Sequence, residues 1–327
     1  MPVCIAGMHR SGTSMVARAL AACGLELGGE SELLGATPDN EHGHWEHEDF
    51  VRLDDELLAR LGGGWDVPPK VEAGWADSAE LDDLRGRARE LVQRFDGQEL
   101  WGWKDPRSSL ALPFWRSVLP DLRVVVCVRH PVEVARSLSL RGASSERFGV
   151  ELWLAYAARV LEDTDPSGRV VTHYGAYFEN AEAELSRLTE TLGLDAGPER
   201  IAAAARTAVA DSSRHHRAGE DATLGLPEEV VAAYGALCSE AGPVFDAALG
   251  DEPFFSPGPE RNDLLRKQIA AKATAIDGLR LRGRQEAKRA DRLDERVAAL
   301  ERSRAFRYTA PLRRPYVALR KRFGGLE

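Results

Sequence analysis

A glycine-bearing segment near the start of the sequence constrains the fold of this chain most strongly. The segment Gly7-Met-His-Arg-Ser-Gly-Thr-Ser14 follows residues 2–7, which are apolar enough for a buried strand, and it precedes a predicted helix over Met15–Cys23. The G-x-x-x-x-G spacing of its two glycines is that of a phosphate-binding loop, where backbone N–H groups and a helix N-terminus form an anion site. The alternative is a plain glycine turn between a strand and a helix.

Strands and helices alternate after this loop. Further short strands are predicted at Leu100–Trp103, Arg123–Val128 and Arg169–His173. The intervening segments have helical periodicity or helix-start signals, at Phe50–Leu61, 77–96, Val132–Leu140, Phe148–Asp163 and Ala181–Leu192. This alternation predicts an α/β fold of the P-loop type, a parallel sheet flanked by helices, over residues 1–255.

The C-terminal part of the chain differs from the rest in composition. Phe254–Pro259 marks a boundary, and residues 260–303 form a polar, helix-prone extension whose heptad seam is interrupted at Lys272, Gly283 and Glu286. We therefore expect either a coiled coil, which would allow a homo-oligomer through 261–303, or a solvated single helix. Residues 304–327 form a basic tail with interspersed aromatic side chains.

Charge is distributed unevenly between these parts. Residues 260–327 hold 19 Lys and Arg against 9 Asp and Glu, whereas the preceding residues hold 24 against 43. The acidic body argues against nucleic-acid binding. The basic aromatic tail suits peripheral contact with an anionic membrane, and the alternative is a disordered basic tail. No run of 18 apolar residues and no signal-peptide pattern occurs, so we expect a cytoplasmic protein, with the inner face of the membrane as a further possibility.

Cysteine spacing gives no sign of metal or disulfide chemistry. Cys4, Cys23, Cys127 and Cys238 are far apart in the sequence and have no clustered histidine. Cys4 and Cys127 fall within predicted strands, where a thiol packs as a small hydrophobic group. We expect buried, structural thiols.

Two features adapt the loop to an anion other than a nucleoside triphosphate. A triphosphate-binding loop would have Lys after the second glycine, but this chain has Thr13 there and carries its cation inside the loop, at Arg10. The predicted strand Arg123–Val128 is followed directly by Arg129, with Ser137 eight residues later. An arginine fork and a hydroxyl at the carboxyl end of a strand predict a second phosphate site on the same nucleotide.

Together these motifs resemble the sulfotransferase superfamily that uses 3′-phosphoadenosine 5′-phosphosulfate (PAPS). His9-Arg-Ser-Gly-Thr-Ser14 is similar to the family loop, Trp103–Arg107 to its K-D-P segment, and Tyr174–Glu184 to its Y-E-D-L stretch. The resemblance implies a 3′-phosphate site at Arg129 and Ser137. It assigns the 5′-phosphosulfate to the loop residues Gly7, His9, Arg10, Ser11, Gly12, Thr13 and Ser14.

The same resemblance implies that PAPS is the donor, that PAP is a product, and that no metal is required. A sulfuryl group carries less charge than a phosphoryl group, and no predicted strand ends in an aspartate that would hold Mg²⁺. Arg10 and Lys104 are the cations predicted to stabilise charge that develops during in-line transfer.

The base that takes the acceptor proton is predicted within Pro38–Asp49. This stretch is similar to an N-P-x-G-x-x-E stretch of bacterial members of the superfamily, with Asn40, Gly43 and Glu46 at comparable places. Glu46 is therefore the favoured general base, followed by His44 and then Asp105. One alternative is a polar loop. The other is a metal site formed by Glu46 with the nearby histidines His42, His44 and His47.

The acceptor is predicted only by class. Ser303–Arg314 resembles a segment at the ends of bacterial cell-surface glycan enzymes, which points to a hydroxyl on a glycan. Two other functions stay open on the sequence. One is a P-loop kinase-like phosphotransferase, against which Thr13 counts, and the other is a non-catalytic nucleotide-binding scaffold that assembles through 261–303.

Overall fold

The computed structural model describes residues 1–35, 43–140, 145–210 and 226–242. Within them a four-stranded, wholly parallel sheet has the strand order β2-β1-β3-β4. The strands are β1 (Pro2–Ala6), β2 (Trp101–Lys104), β3 (Arg123–Val128) and β4 (Arg169–His173). The sheet and its flanking helices confirm the predicted α/β fold.

Helices cover both faces of the sheet. They are α1 (Thr13–Cys23), α2 (Glu48–Arg60), α3 (Asp82–Gln93), α4 (Leu112–Val118), α5 (Pro131–Ser139), α6 (Glu146–Asp163), α7 (Ala176–Leu192), α8 (Pro198–Ala210) and α9 (Glu228–Glu240). Alternate residues of β1 enter different cores, because side chains of a strand point to opposite faces. Val3 and Ile5 pack with α1, α7 and α8, whereas Cys4 and Ala6 pack with the aromatic cluster described next.

Stacked aromatic rings support the outer strand β2. Trp103 stacks on Phe50 with ring centroids 4.5 Å apart, and Trp101 stacks on Phe95 at 4.4 Å. Trp115 completes the cluster, 4.8 Å from Trp103. Offset aromatic pairs of this kind add stability beyond the area that they bury. They hold the carboxyl end of β2, where Lys104 lies, in a fixed position.

Sequence patterns located the sheet better than they located the helices. The bounds of β3 and β4 are those predicted, whereas α7 begins five residues earlier than expected and α4, α8 and α9 were not predicted. The segment 77–96 was expected to be one helix, but short 3₁₀ turns at Trp75–Asp77 and Ala79–Leu81 precede α3. The predicted extension 260–303 and the tail 304–327 lie outside the described residues and stay predictions.

The expectation of buried thiols is confirmed for three cysteines. Cys4, Cys23 and Cys127 are buried among apolar side chains, and burial raises the pKa of each thiol. Cys238 is half-buried, and none of the four thiols forms a disulfide in the part of the chain described. No helix among the described residues is long and apolar enough to cross a membrane.

Gly7 joins β1 to the loop, and we expect its replacement to lower the stability of the fold. It has φ +127°, and a Cβ there would lie 2.4 Å from the carbonyl oxygen of Cys127. Gly7→Ala should therefore lower the free energy of unfolding by about 2 kcal/mol or more, measured by urea denaturation. The matched control is Gly86→Ala in α3, where no heavy atom lies within 4 Å of the added Cβ. It should raise stability by about 0.5–1 kcal/mol, and equal effects of the two changes would contradict this account.

Candidate active site

The glycine-bearing loop turns sharply between β1 and α1. Gly7, Arg10 and Gly12 all have left-handed backbones, with φ of 127°, 71° and 89°. The backbone N–H of Ser11 donates to the carbonyl of Met8 at 3.1 Å, which closes the turn. The side chain of Ser109 accepts a hydrogen bond from the N–H of Gly7 at 2.8 Å and fixes the loop to the segment after β2.

Several groups in the loop fit an anionic ligand. Among the described residues no side chain caps the N-terminus of α1, and the first turn of this helix carries no acidic residue. Its N–H groups and the helix dipole therefore favour a negative charge. The hydroxyl of Ser11 is buried and has no hydrogen-bond partner among the described residues. Because a buried hydroxyl without a partner is costly, we interpret this one as a contact for a phosphate or sulfate oxygen.

Arg10 connects the two halves of the site that the sequence predicts separately. Its Nε donates to the Oγ of Ser137 in α5 at 2.9 Å, across 127 residues of sequence. The loop and α5 are therefore in direct contact, and the predicted 5′ and 3′ sites share a wall. The sequence indicated both residues but gave no sign that they touch.

Arg129 lies behind the loop and is already engaged. Its Nε donates to the carboxylate of Glu133 at 2.7 Å, and its Nη1 donates to the carbonyl of Arg10 at 3.2 Å. Its guanidinium carbon lies 4.4 Å from the ring centroid of Tyr174, a cation–π contact. Direct binding of a 3′-phosphate by Arg129 stays a prediction, and the observed contacts give this residue a part in supporting the loop.

Sequence reasoning missed Glu133, and it named Tyr174 only within the stretch similar to Y-E-D-L, with no role in this cluster. Glu133 lies four residues after Arg129 in α5, so the pair has the spacing at which helical side chains meet. Tyr174 follows β4 directly, as Arg129 follows β3, and its ring lies beneath Gly12. A Cβ at Gly12 would come within 2.4 Å of that ring. The four-residue spacing of Arg129 and Glu133, and the position of Tyr174 directly after a strand, were the sequence signals that could have identified these two residues.

The segment 43–47 brings Glu46 and His44 to the loop. The Oγ of Ser14 donates to the carbonyl of His44 at 3.0 Å, which ties this segment to the start of α1. Glu46 forms a buried ion pair with Lys104 at 2.5 Å, and its Oε2 has no hydrogen-bond partner among the described residues. His44 Nδ1 lies 3.8 Å from Glu46 Oε2. Burial lowers the pKa of His44, which favours a neutral imidazole.

The ring of His9 packs against aromatic side chains at the edge of the loop. Its centroid lies 4.8 Å from that of Trp65 and 6.1 Å from that of Tyr156. The hydroxyl of Tyr156 donates to the carbonyl of Trp65 at 2.8 Å and fixes this wall. His9 therefore contributes packing to the loop in addition to the ligand contact predicted for it.

Part of the predicted base region lies outside the described residues. Asn40 and His42 belong to 36–42, so their predicted roles, including His42 in a histidine metal site, stay predictions. Within the described ranges, no group of three or more His, Cys, Asp or Glu is arranged to hold a metal ion.

Comparison with known proteins identifies the family. A profile of the Sulfotransferase family matches residues 2–198, which include the loop, the Glu46–Lys104 pair and Ser137. The chain belongs to the sulfotransferase family. No curated protein matches its sequence significantly.

Several solved structures are similar to it at low identity. The sulfotransferase domain from the curacin biosynthetic pathway is 16% identical, with 73% of this chain and 98% of that chain covered and a TM-score of 0.43. Sulfotransferase STF1 from Mycobacterium tuberculosis H37Rv is 18% identical, with coverage of 72% and 76% and a TM-score of 0.39. Retinol dehydratase in complex with androsterone and inactive cofactor PAP is 13% identical, with coverage of 63% and 64% and a TM-score of 0.34.

Asp105 is a buried carboxyl next to β2 in this sulfotransferase. The sequence predicted that no strand ends in an aspartate and that this strand stops at Trp103. The strand continues through Lys104, so Asp105 follows it directly. Its Oδ1 accepts from the backbone N–H of Arg107 at 2.9 Å and from the Arg107 guanidinium at 3.1 Å. Burial raises the pKa of Asp105 to about 6.

A second buried carboxyl lies beneath the site, at Asp54 in α2. It accepts from Trp115 Nε1 at 2.8 Å, and its other oxygen lies 2.5 Å from the hydroxyl of Ser108. Burial raises its pKa well above the usual range, and the neighbouring Asp105 raises it further. We infer that the sulfotransferase keeps this carboxyl protonated at pH values where an exposed aspartate is ionised.

We expect this carboxyl to make stability depend on pH. A raised folded-state pKa stabilises the fold below the unfolded value of about 4, and the contribution is lost as pH rises toward the folded value. The wild type should therefore lose more stability between pH 4 and pH 7 than Asp54→Asn does, as measured by urea denaturation. The matched control is Asp55→Asn, whose carboxylate is half-exposed and pairs with Arg107. Parallel pH profiles for the wild type and Asp54→Asn would contradict the assignment.

Proposed function

We propose that this sulfotransferase transfers a sulfuryl group from PAPS to an acceptor hydroxyl, with a glycan as the acceptor class. The observation that carries the proposal is the convergence of three elements at one end of the sheet. These are the anion-binding loop, Ser137 held by Arg10, and the buried Glu46–Lys104 pair. Parallel sheets bind ligands at this carboxyl end, where the loops after the strands meet.

The loop and α5 are the parts that would hold the donor. The amides at the start of α1 and the hydroxyl of Ser11 suit a 5′-phosphosulfate, and Ser137 suits a 3′-phosphate. Arg10 lies between them and can stabilise negative charge on either side. PAPS supplies the sulfuryl group and releases PAP as the leaving group. Its fit is supported by the unpartnered Ser11 hydroxyl and by the uncapped helix.

Glu46 is the base that we propose removes the proton of the acceptor hydroxyl. Lys104 holds one carboxylate oxygen, Oε1, which fixes the orientation of the group. The other oxygen, Oε2, has no hydrogen-bond partner among the described residues and is available to accept a proton. As the acceptor oxygen bonds to sulfur, its proton passes to Oε2. His44, 3.8 Å from the same oxygen, is the second candidate for this role.

One observation favours a kinase-like alternative. Asp105 directly follows β2, a place where triphosphate-binding proteins carry a Mg²⁺-binding aspartate. Two features oppose this alternative. Thr13 stands where the P-loop lysine would be, and one oxygen of Asp105 is already engaged by Arg107. A non-catalytic scaffold would also bind nucleotide but would transfer nothing.

Nucleotide preference separates these functions. We expect calorimetry to show PAP binding without magnesium at least about tenfold tighter than ATP or ADP, because PAP alone places phosphates at both the loop and Ser137. A preference for ATP with magnesium would support the kinase and contradict the proposal. Transfer of label from PAPS to a panel of glycans and simple alcohols then separates an enzyme from a scaffold.

Replacement of the proposed base should slow turnover without weakening the binding of the donor nucleotide. Glu46→Gln keeps the shape of the side chain but removes its proton acceptor, so kcat should fall by about a hundredfold or more. The affinity for PAP should change little. The control is Glu48→Gln, since Glu48 is exposed at the start of α2 and pairs only with Arg52 among the ion pairs described. Full turnover by Glu46→Gln would show that another group is the base.

A further inference from the structure

A polar cavity lies at the edge of the sheet beyond β2, separate from the loop. Its volume is about 210 Å³, and its lining includes Glu26, Glu32, His47, Arg94, Phe95 and Gln98. Glu26 forms a parallel bridge to Trp101, and Leu33 forms an antiparallel bridge to His47, so backbone pairing shapes this wall. We call it the His47 cavity.

His47 and Glu46 are neighbours in sequence but face different surroundings. Glu46 contacts Lys104, whereas the ring of His47 contacts Phe50 and Phe95 and lines the cavity. Successive side chains of an extended segment point to opposite sides. The cavity is therefore distinct from the site proposed for sulfuryl transfer.

His47 lines this cavity, and its imidazole has a buried donor without a hydrogen-bond partner among the described residues. Its ring is 1% exposed, and its Nδ1 accepts a hydrogen bond from the backbone N–H of Asp49 at 3.3 Å. The neutral ring must therefore carry its proton on Nε2. Nε2 has no hydrogen-bond partner among the described residues, since Glu32 Oε2 lies 3.8 Å away, beyond hydrogen-bond distance. An oxygen atom between them would satisfy both groups.

The rest of the cavity lining carries both hydrogen-bond acceptors and hydrogen-bond donors. One oxygen of Glu26 accepts from the N–H of Gly28 at 3.0 Å, and one oxygen of Glu32 accepts from the N–H of Gly29 at 2.8 Å. Each carboxylate can accept further hydrogen bonds. Arg94 is held by Asp49 at 2.7 Å and lies 3.9 Å from Glu32.

We propose that the His47 cavity binds a polyhydroxylated ligand, such as one sugar unit. A hydroxyl both donates and accepts, so it can accept from His47 Nε2–H while donating to Glu32. A simple anion would meet two carboxylates, and a simple cation would meet the guanidinium and an imidazole N–H. Phe95 adds an apolar side chain to the lining of the cavity. This site stands independently of the proposed sulfuryl transfer, because among the described residues no hydrogen bond or ion pair of Glu26, Glu32, His47 or Arg94 involves the loop.

The test uses the full chain and two probes, methyl α-D-glucopyranoside and myo-inositol. Saturation-transfer NMR should show binding of at least one probe, with a dissociation constant of about 1 mM. Addition of that probe should shift the Nε2–H resonance of His47. Glu32→Gln should weaken binding by about tenfold, because a charged acceptor of the ligand hydroxyl is lost. Glu30→Gln, an exposed change in the same short turn, should leave binding unchanged.

Three results would overturn the proposal. These are no binding of either probe to the wild type, equal binding by wild type and Glu32→Gln, or binding of acetate or tetramethylammonium in place of the sugars. PAP affinity, measured on the same samples, distinguishes failure of the sugar-site proposal from failure of the proposed donor site. Loss of PAP binding with retained sugar binding would count against the sulfuryl-transfer proposal alone.

Discussion

The close approach of the loop backbone to its neighbours is the constraint on which the candidate site depends. Gly7 lies against the carbonyl of Cys127, and Gly12 lies against the ring of Tyr174, so neither position has room for a Cβ. Because both residues have positive φ, the chain can reverse between β1 and α1 within six residues. That reversal places Arg10 between β3 and α5. Its carbonyl there accepts from Arg129, and its side chain donates to Ser137.

Two buried ion pairs flank the loop, and their burial is informative. Removing charges from water costs several kcal/mol per ion, and a buried pair recovers this only with good geometry. Stability alone therefore does not explain Glu46–Lys104 and Arg129–Glu133, and charged groups with this cost are typical of functional sites. The stacked rings around Trp103 fix the strand that ends in Lys104. Rigid packing on one side of β2 thus orients the charged groups at its end.

Local patterns predicted the elements that depend on local sequence. Buried apolar runs located β3 and β4, and glycine spacing located the loop, because strand burial and positive φ leave direct traces in composition. The pairings within the site depend on contacts between distant residues. The hydrogen bond between Arg10 and Ser137 and the contact of Tyr174 with Gly12 were therefore not predicted. The engagement of Asp105 by Arg107, two residues later in the chain, is local but was not predicted either. The position of Asp105 was not predicted because β2 extends one residue beyond its apolar run, through Lys104. The charge of Lys104 is neutralised by an ion pair with Glu46.

The central claim is that the loop and Ser137 form one site for two phosphates of a nucleotide. The most direct test compares the affinities of PAP and 5′-AMP, which lacks the 3′-phosphate, for the wild type and Ser137→Ala. The control is Ser139→Ala, because the Ser139 hydroxyl bonds within its own helix to the carbonyl of Arg136. We predict that PAP binds the wild type at least about a hundredfold tighter than 5′-AMP, and that Ser137→Ala narrows this ratio about tenfold. Equal affinities for the two nucleotides, or the same ratio in all three proteins, would contradict the account.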